Sequence, residues 1–342
     1  MPTRFSVGLL ALITVGAGHW SGVRAAEDAK AASIMAEARK ALGGEDTLAA
    51  LKGLSVRGEF RREMESAVAG SGGGTFVMMR GPGGAIDSGG QVAGLIEIDV
   101  VFPDKFYRME STTSGIGLVR VDGFEGNRPF MDITSNNNST RVMIDRPNDD
   151  PERSAALLKR TNTDLARLLL GMIGSTQPGM RVSYTYAGQA ESPDGTAHVI
   201  DVSGPDEFEV RLFIDTTTHL PLMLAFSEPE PRVVRMTSAH GVPPAGGTPR
   251  TRTAASDAPG RPADLTPEQR AEIDKQMKAA EETPRKMIDY RLFFSDYREV
   301  DGISLPHRIV RGTGDKTIEE WDIKSYKVNP TIKDDRFKVG TE

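Results

Sequence analysis

Met287-Ile-Asp-Tyr-Arg-Leu-Phe-Phe-Ser-Asp-Tyr-Arg-Glu-Val-Asp-Gly-Ile-Ser-Leu-Pro-His-Arg-Ile-Val310, continued by Arg311-Gly-Thr-Gly-Asp-Lys-Thr-Ile-Glu-Glu-Trp-Asp-Ile-Lys-Ser-Tyr-Lys-Val328, spells three strands with their turns. Tyr290 to Arg298 is rich in aromatic residues, and Asp301-Gly302 is the dipeptide that closes a two-residue hairpin. Ile303 to Val310 then runs back, Gly312 to Asp315 turns again, and Ile318 to Val328 follows. Strands this close in sequence, joined by tight turns, form an up-and-down antiparallel meander.

The same signals recur upstream. Leu54 to Phe60 alternates, placing Leu54, Val56 and Phe60 on one face, and Leu95 to Phe102 does so with Ile96, Ile98, Val100 and Phe102. Further strands are expected at Phe76 to Met79, Lys105 to Ser111, Leu118 to Val121, Pro129 to Ile133, Arg181 to Ala187, His198 to Val202, Glu207 to Asp215 and Leu220 to Phe226. Helices are fewer. Ala26 to Leu42 repeats apolar residues at Ile34, Ala38 and Leu42 before Gly43-Gly44, and a short helix follows at Asp46 to Leu51. Asp150-Pro151 is an N-cap with proline at the first helical position. The helix it opens carries Leu157, Leu158, Leu165, Leu168, Leu169, Met172 and Ile173 on one face as far as Gly174. The fold class expected is α+β, mainly antiparallel β.

Residues 228–284 break the pattern: a proline-rich entry, a Gly/Thr/Arg/Ala tract from Gly241 to Arg261, and one helix opened by the capping box Thr266-Pro-Glu-Gln269. They read as an insert, with its tract disordered, in one domain spanning residues 26–342. Residues 1–25 read as a signal peptide, with Arg4, an apolar run from Phe5 to Ala17, and cleavage near Ala25 after Val23-Arg24. The run of about 13 residues is short of the roughly 20 needed to span a bilayer, so a periplasmic, not membrane-spanning product is expected.

Without cysteine, the chain has no disulfide, thiol nucleophile or lipid-bearing cysteine. Its net charge of -6 becomes about -8 without Arg4 and Arg24, which argues against a nucleic-acid partner. Catalytic motifs are missing as well. No histidine among His198, His219, His240 and His307 has another within four residues, as a His-Glu-x-x-His zinc site requires. Gly53-Leu-Ser-Val-Arg57 fails the nucleophile elbow at its last position. Glu319 and Glu320 point to opposite faces of a strand and cannot flank one bond, so they read as solvated edge charges. His219 and His307 read as structural or exposed. No catalytic residue, metal or cofactor is expected.

Ala41-Leu-Gly-Gly44 with Leu51-Lys-Gly-Leu-Ser-Val-Arg-Gly58, Phe213-Ile-Asp-Thr-Thr-Thr-His-Leu-Pro-Leu222 and Asp296-Tyr-Arg-Glu-Val-Asp-Gly-Ile-Ser-Leu-Pro-His307 together resemble the LolA-like superfamily of periplasmic lipoprotein carriers and related lipid-binding proteins. The resemblance implies an unclosed, curved half-barrel whose concave apolar face is covered by helices and receives acyl chains. The expected lining is Phe60, Ile98, Phe102, Leu165, Leu168, Leu169, Met172, Leu222 and Leu224. The function it implies is binding or carriage of a hydrophobic ligand, a lipid or the acyl chains of a lipoprotein. The competing expectation is an envelope sensor or protein-interaction module, with an envelope protein as partner and no enzymatic activity.

Overall fold

The computed structural model of the protein describes residues 29–63, 75–80, 91–113, 117–135, 151–193, 195–230, 232–237, 275 and 284–338. The signal-peptide segment, the Asp150 cap and most of the 228–284 span, including its expected helix apart from Lys275, lie outside the described residues. In chain order, helices α1 (Ala29–Leu42) and α2 (Glu45–Ala49) precede β1 (Gly53–Glu63), β2 (Thr75–Arg80), β3 (Gln91–Val101), β4 (Lys105–Thr112), β5 (Leu118–Glu125) and β6 (Arg128–Ser135). Helix α3 (Pro151–Ile173) leads to β7 (Ser183–Ser192), β8 (Gly195–Ser203), β9 (Glu209–Asp215), β10 (Pro221–Pro229) and β11 (Arg232–Thr237). The quoted stretch is β12 (Met287–Val300), β13 (Ile303–Thr313) and β14 (Lys316–Val328), followed by a 3-10 turn at Asp334–Phe337.

Among the described residues, twelve strands form one antiparallel sheet in the order β6-β5-β4-β3-β1-β14-β13-β12-β10-β9-β8-β7, with β6 and β7 as open edges. This is an unclosed half-barrel. Two meanders meet in it at a single seam, where β1 pairs with β14 from Leu54↔Val328 to Arg62↔Glu319. The Asp301-Gly302 hairpin takes the form expected of it, with both residues at positive φ (50° and 82°).

Two strands, β2 and β11, lie apart from this sheet. The strand at Phe76 stands outside the main sheet, because β2 pairs in parallel with β11. β11 in turn lies inside the span read as an insert, whose entry is therefore a strand. A parallel partner more than a hundred residues away leaves no local turn signal to read.

The inner face holds the main core. Leu54, Val56 and Phe60 of β1 join Ile96, Ile98 and Val100 of β3, Leu212 and Ile214 of β9, Leu224 of β10, Leu292 and Phe294 of β12, and Ile309 of β13. Helices cover this face: α1 contributes Ile34, Met35 and Ala38, and α3 contributes Leu165, Leu168, Leu169, Met172 and Ile173. Every residue from Leu165 to Ile173 is buried, so the second half of α3 is enclosed on all sides. It stops at Gly174, where φ is +66° and the amide bonds back to the Leu170 carbonyl at 3.2 Å.

Gly171 sets how closely α3 approaches the sheet. A Cβ there would sit 1.9 Å from Cζ of Phe294. The Tyr297 hydroxyl donates to the Gly171 carbonyl at 3.0 Å and lies 2.8 Å from the Pro221 carbonyl, so the helix end is also held by polar contact. Gly171→Ala is expected to destabilise the protein by about 1–3 kcal/mol through overpacking, read as a lower midpoint in chemical denaturation. An unchanged midpoint would mean that α3 does not rest on Phe294.

Candidate functional site

Strand alternation carries charge as well as apolar surface onto the inner face. Arg62 lies two residues after Phe60, Arg108 two after Phe106, Glu228 two after Phe226, Arg311 two after Ile309, and Glu319 two before Trp321. Sharing a parity with core residues, these side chains turn inward together, and register then sets them side by side. Arg62 is opposite Glu319 across the seam, Arg311 is opposite Glu319, Arg108 opposite Asp122, and Glu110 opposite Arg120.

The result is a row of buried ion pairs along one end of the half-barrel. Arg62 donates to Glu110 at 2.8 Å and also to Glu319, whose Oε1 accepts a further 2.6 Å hydrogen bond from the Trp321 indole. Arg108, 1% exposed, grips Asp122 with two donors at 2.7 and 3.2 Å and reaches Asp164 of α3 at 3.2 Å. Glu228 accepts from Arg167 of α3 and, at 2.9 Å, from Arg311. Both of these guanidiniums also lie over rings: Arg167 is 3.8 Å from the centroid of Phe226 and Arg311 is 4.2 Å from that of Tyr290. Helix α3 is thus tied to the sheet by charge through Asp164 and Arg167 as well as by its apolar stripe.

Burial by itself would raise the carboxyl pKa values in this row. At Asp122 the charges of Arg108 and Arg120 outweigh burial and bring the group down to about 2. Arg62 does the same for Glu110, again to about 2, and Arg167 and Arg311 lower Glu228. Asp164 goes the other way, because there burial prevails over Arg108. Carboxylates clamped in this way are poor bases and poor nucleophiles, and among the described residues no group of three or more His, Asp or Glu is placed to hold a metal ion.

Glu319 corrects the sequence reading. It does point away from Glu320, but it is 6% exposed and paired, not solvated. His307 is structural, buried in β13 with Nδ1 3.1 Å from the Leu305 carbonyl oxygen. His219 occupies its turn at φ 59°.

The expected lining residues are brought together, but around no ligand-sized space. Phe60, Ile98, Leu165, Leu168, Leu169, Met172 and Leu224 are buried in one core, and Phe102, just past the end of β3, packs partly buried against it. Leu222 is the exception at 38% exposed, since a register irregularity between Pro221 and Met223 takes it off the inner face. The cavity between α3 and the sheet, lined by Arg108, Arg167, Leu168, Phe226, Arg311 and Trp321 among others, measures about 40 Å³. Ligand pockets usually run from roughly 300 to 1,000 Å³. With α3 seated, its own side chains fill the face.

No protein-family profile and no curated protein matches the sequence. Among solved structures, a LolA superfamily protein from Nitrosomonas europaea is 12% identical over 92% of this chain and 98% of its own, at a TM-score of 0.41. An outer membrane lipoprotein-sorting protein domain from Vibrio parahaemolyticus is 8% identical over 90% and 96%, at 0.38. A DUF1329 family protein from Desulfovibrio piger is 8% identical over 90% and 96%, at 0.41.

Proposed function

We propose that this chain is an exported, periplasmic binding or carrier protein for a hydrophobic ligand, a lipid or an acylated protein, and not an enzyme. The observation that carries this reading is the placement of α3: one helix inserts Leu165, Leu168, Leu169 and Met172 against the apolar inner face of an open sheet. An acyl chain offers the sheet the same kind of surface. Exchange of helix for ligand keeps the apolar face covered, so burial is nearly conserved between the free and loaded states. Uptake requires α3 to move, because about 40 Å³ admits no acyl chain. Export rests on the residue 1–25 signal. No helix among the described residues is long and apolar enough to cross a membrane.

The test is uptake of a fluorescent acyl probe by delipidated, folded protein. Saturable binding is expected. The pair Leu165→Met and Leu169→Met, each costing under about 1.5 kcal/mol of stability, should change probe affinity while the melting curve barely moves. If folded wild-type protein takes up no probe, carriage fails and the envelope-interaction reading takes its place, with α3 a permanent part of the core.

A further inference from the structure

At the β5/β6 end of the buried row, two guanidinium groups are less fully paired than the others. Arg120 projects from β5, is 8% exposed, and has no hydrogen-bond acceptor for Nε or Nη2 among the described residues. Its closest carboxylate is Asp122, 3.4 Å away, and that group already takes both donors of Arg108. Glu110, opposite Arg120 in register, gives Oε2 to Arg62, and its Oε1 meets no hydrogen-bond donor, Arg120 included. Arg160 of α3, partly buried, leaves Nε without an acceptor, and its Nη2 meets the Met131 sulfur at 3.9 Å, a weak acceptor. Burial lowers the Arg160 pKa, nearby Arg120 adds to the effect, and Asp122 and Asp164 oppose it.

The charges around this point do not balance. Among the described residues, Arg62, Arg108, Arg120, Arg160, Arg167 and Arg311 face Glu110, Asp122, Asp164, Glu228 and Glu319, one guanidinium more than carboxylates. Arg62, Arg160, Arg167 and Arg311 each leave Nε without an acceptor, but Arg62, Arg167 and Arg311 are held by carboxylates through their other nitrogens, whereas Arg120 leaves two donors uncovered and Arg160 meets only the Met131 sulfur. Buried donors without acceptors are rare in native proteins, and two like charges held close are unfavourable unless an anion lies between them. A guanidinium fork matches the oxygens of a phosphate in particular.

We infer that Arg120 and Arg160 form a binding site for a phosphate-class oxyanion at the open edge of the half-barrel. The oxyanion is either the headgroup of an amphiphile whose apolar part meets the inner face or a free phosphate; only the headgroup alternative rests on the carrier reading. In the first case the protein selects anionic lipids over neutral ones.

Titration calorimetry on the delipidated full chain tests this with three probes: dodecyl phosphate, dodecyl maltoside and inorganic phosphate. Wild-type protein is compared with Arg160→Gln, with Arg160→Lys, which keeps the charge but loses the fork, and with Lys159→Gln, whose exposed ammonium pairs with Glu207. Binding of dodecyl phosphate by wild type should exceed that of dodecyl maltoside by about tenfold or more, the scale of charge-assisted hydrogen bonds. Arg160→Gln should abolish the preference, Arg160→Lys should reduce it, and Lys159→Gln should leave it intact. The free Arg160→Gln protein should melt no lower than wild type, since it removes a partly buried guanidinium whose Nε has no acceptor and whose Nη2 meets only the Met131 sulfur, so lost binding cannot be put down to misfolding. Binding of inorganic phosphate that depends on Arg160, with no uptake of either amphiphile, supports the site with free phosphate as its source and overturns carriage. Equal affinity for both amphiphiles, unchanged in Arg160→Gln, together with no Arg160-dependent phosphate binding, overturns the site and leaves carriage standing.

Discussion

Arg62→Met is expected to lower the free energy of unfolding by about 3–5 kcal/mol, the cost of removing one member of a buried ion-pair group and leaving its partners charged in the interior. Arg62 is 4% exposed and stands between Glu110, also 4% exposed, and Glu319. Methionine fills a similar volume, so the loss is electrostatic and not a packing defect. Glu319 keeps the Trp321 indole donor, but Glu110 is left with the more distant charges of Arg120 and Arg108. Replacing all three residues, as Arg62→Met with Glu110→Leu and Glu319→Leu, should recover most of the stability, because an apolar triad has no uncompensated charge. Urea denaturation of the two variants checks both statements. A single-variant cost under about 1 kcal/mol would return the row to the class of solvated surface pairs.

Acid should unfold the protein through the same row. Glu110 and Asp122 have folded-state pKa values of about 2, below the ordinary carboxylate range, so the stability they contribute is present above pH 4 to 5 and is lost as pH falls toward 2. Each contributes on the order of 2–3 kcal/mol over that interval. Glu228, also lowered, adds in the same direction. Asp164 opposes them: its pKa is raised, so on acidification it takes its proton first and favours the folded form at low pH. Denaturation midpoints should therefore be level from pH 7 to 5 and fall steeply below 4, with a shallower fall in Glu110→Gln. A wild-type profile flat down to pH 2 would contradict the buried pairing.

The strands were legible in the sequence because their signals are local. Asp301-Gly302 and the alternation of Leu54, Val56 and Phe60 each need only a few neighbouring residues to be read, and both hold in the structure. The half-barrel architecture and the helix from Pro151 to Ile173 were likewise readable. What could not be read was register between distant strands. Nothing near Glu319 says that Arg62, 257 positions away, lies opposite it, so the glutamate looked solvated. A usable signal was nevertheless present, for Phe60-Arg-Arg62, Phe106-Tyr-Arg108, Phe226-Ser-Glu228 and Glu319-Glu-Trp321 each set a charge on the same face as an aromatic. One such triplet means little. Four together point to a charged strip inside the barrel, although Arg62 and Glu228 lay just past the strands expected at Leu54 to Phe60 and Leu220 to Phe226. Leu222 escaped for a different reason: a register irregularity shifts parity, and period-two reading assumes there is none.

The single seam between β1 and β14 also governs the order of assembly. Synthesis delivers β1 early and β14 last, and Lys52, next to β1, bonds to Asn329, 277 positions on. Until Lys316–Val328 arrives, one long side of β1 has no partner, and Leu54, Val56 and Phe60 lie on a strand open to strands of other chains. Contacts so far apart in sequence slow the search for the native state. A nascent chain therefore needs its β1 edge shielded, and truncation before β14 should yield aggregates in place of a smaller folded protein.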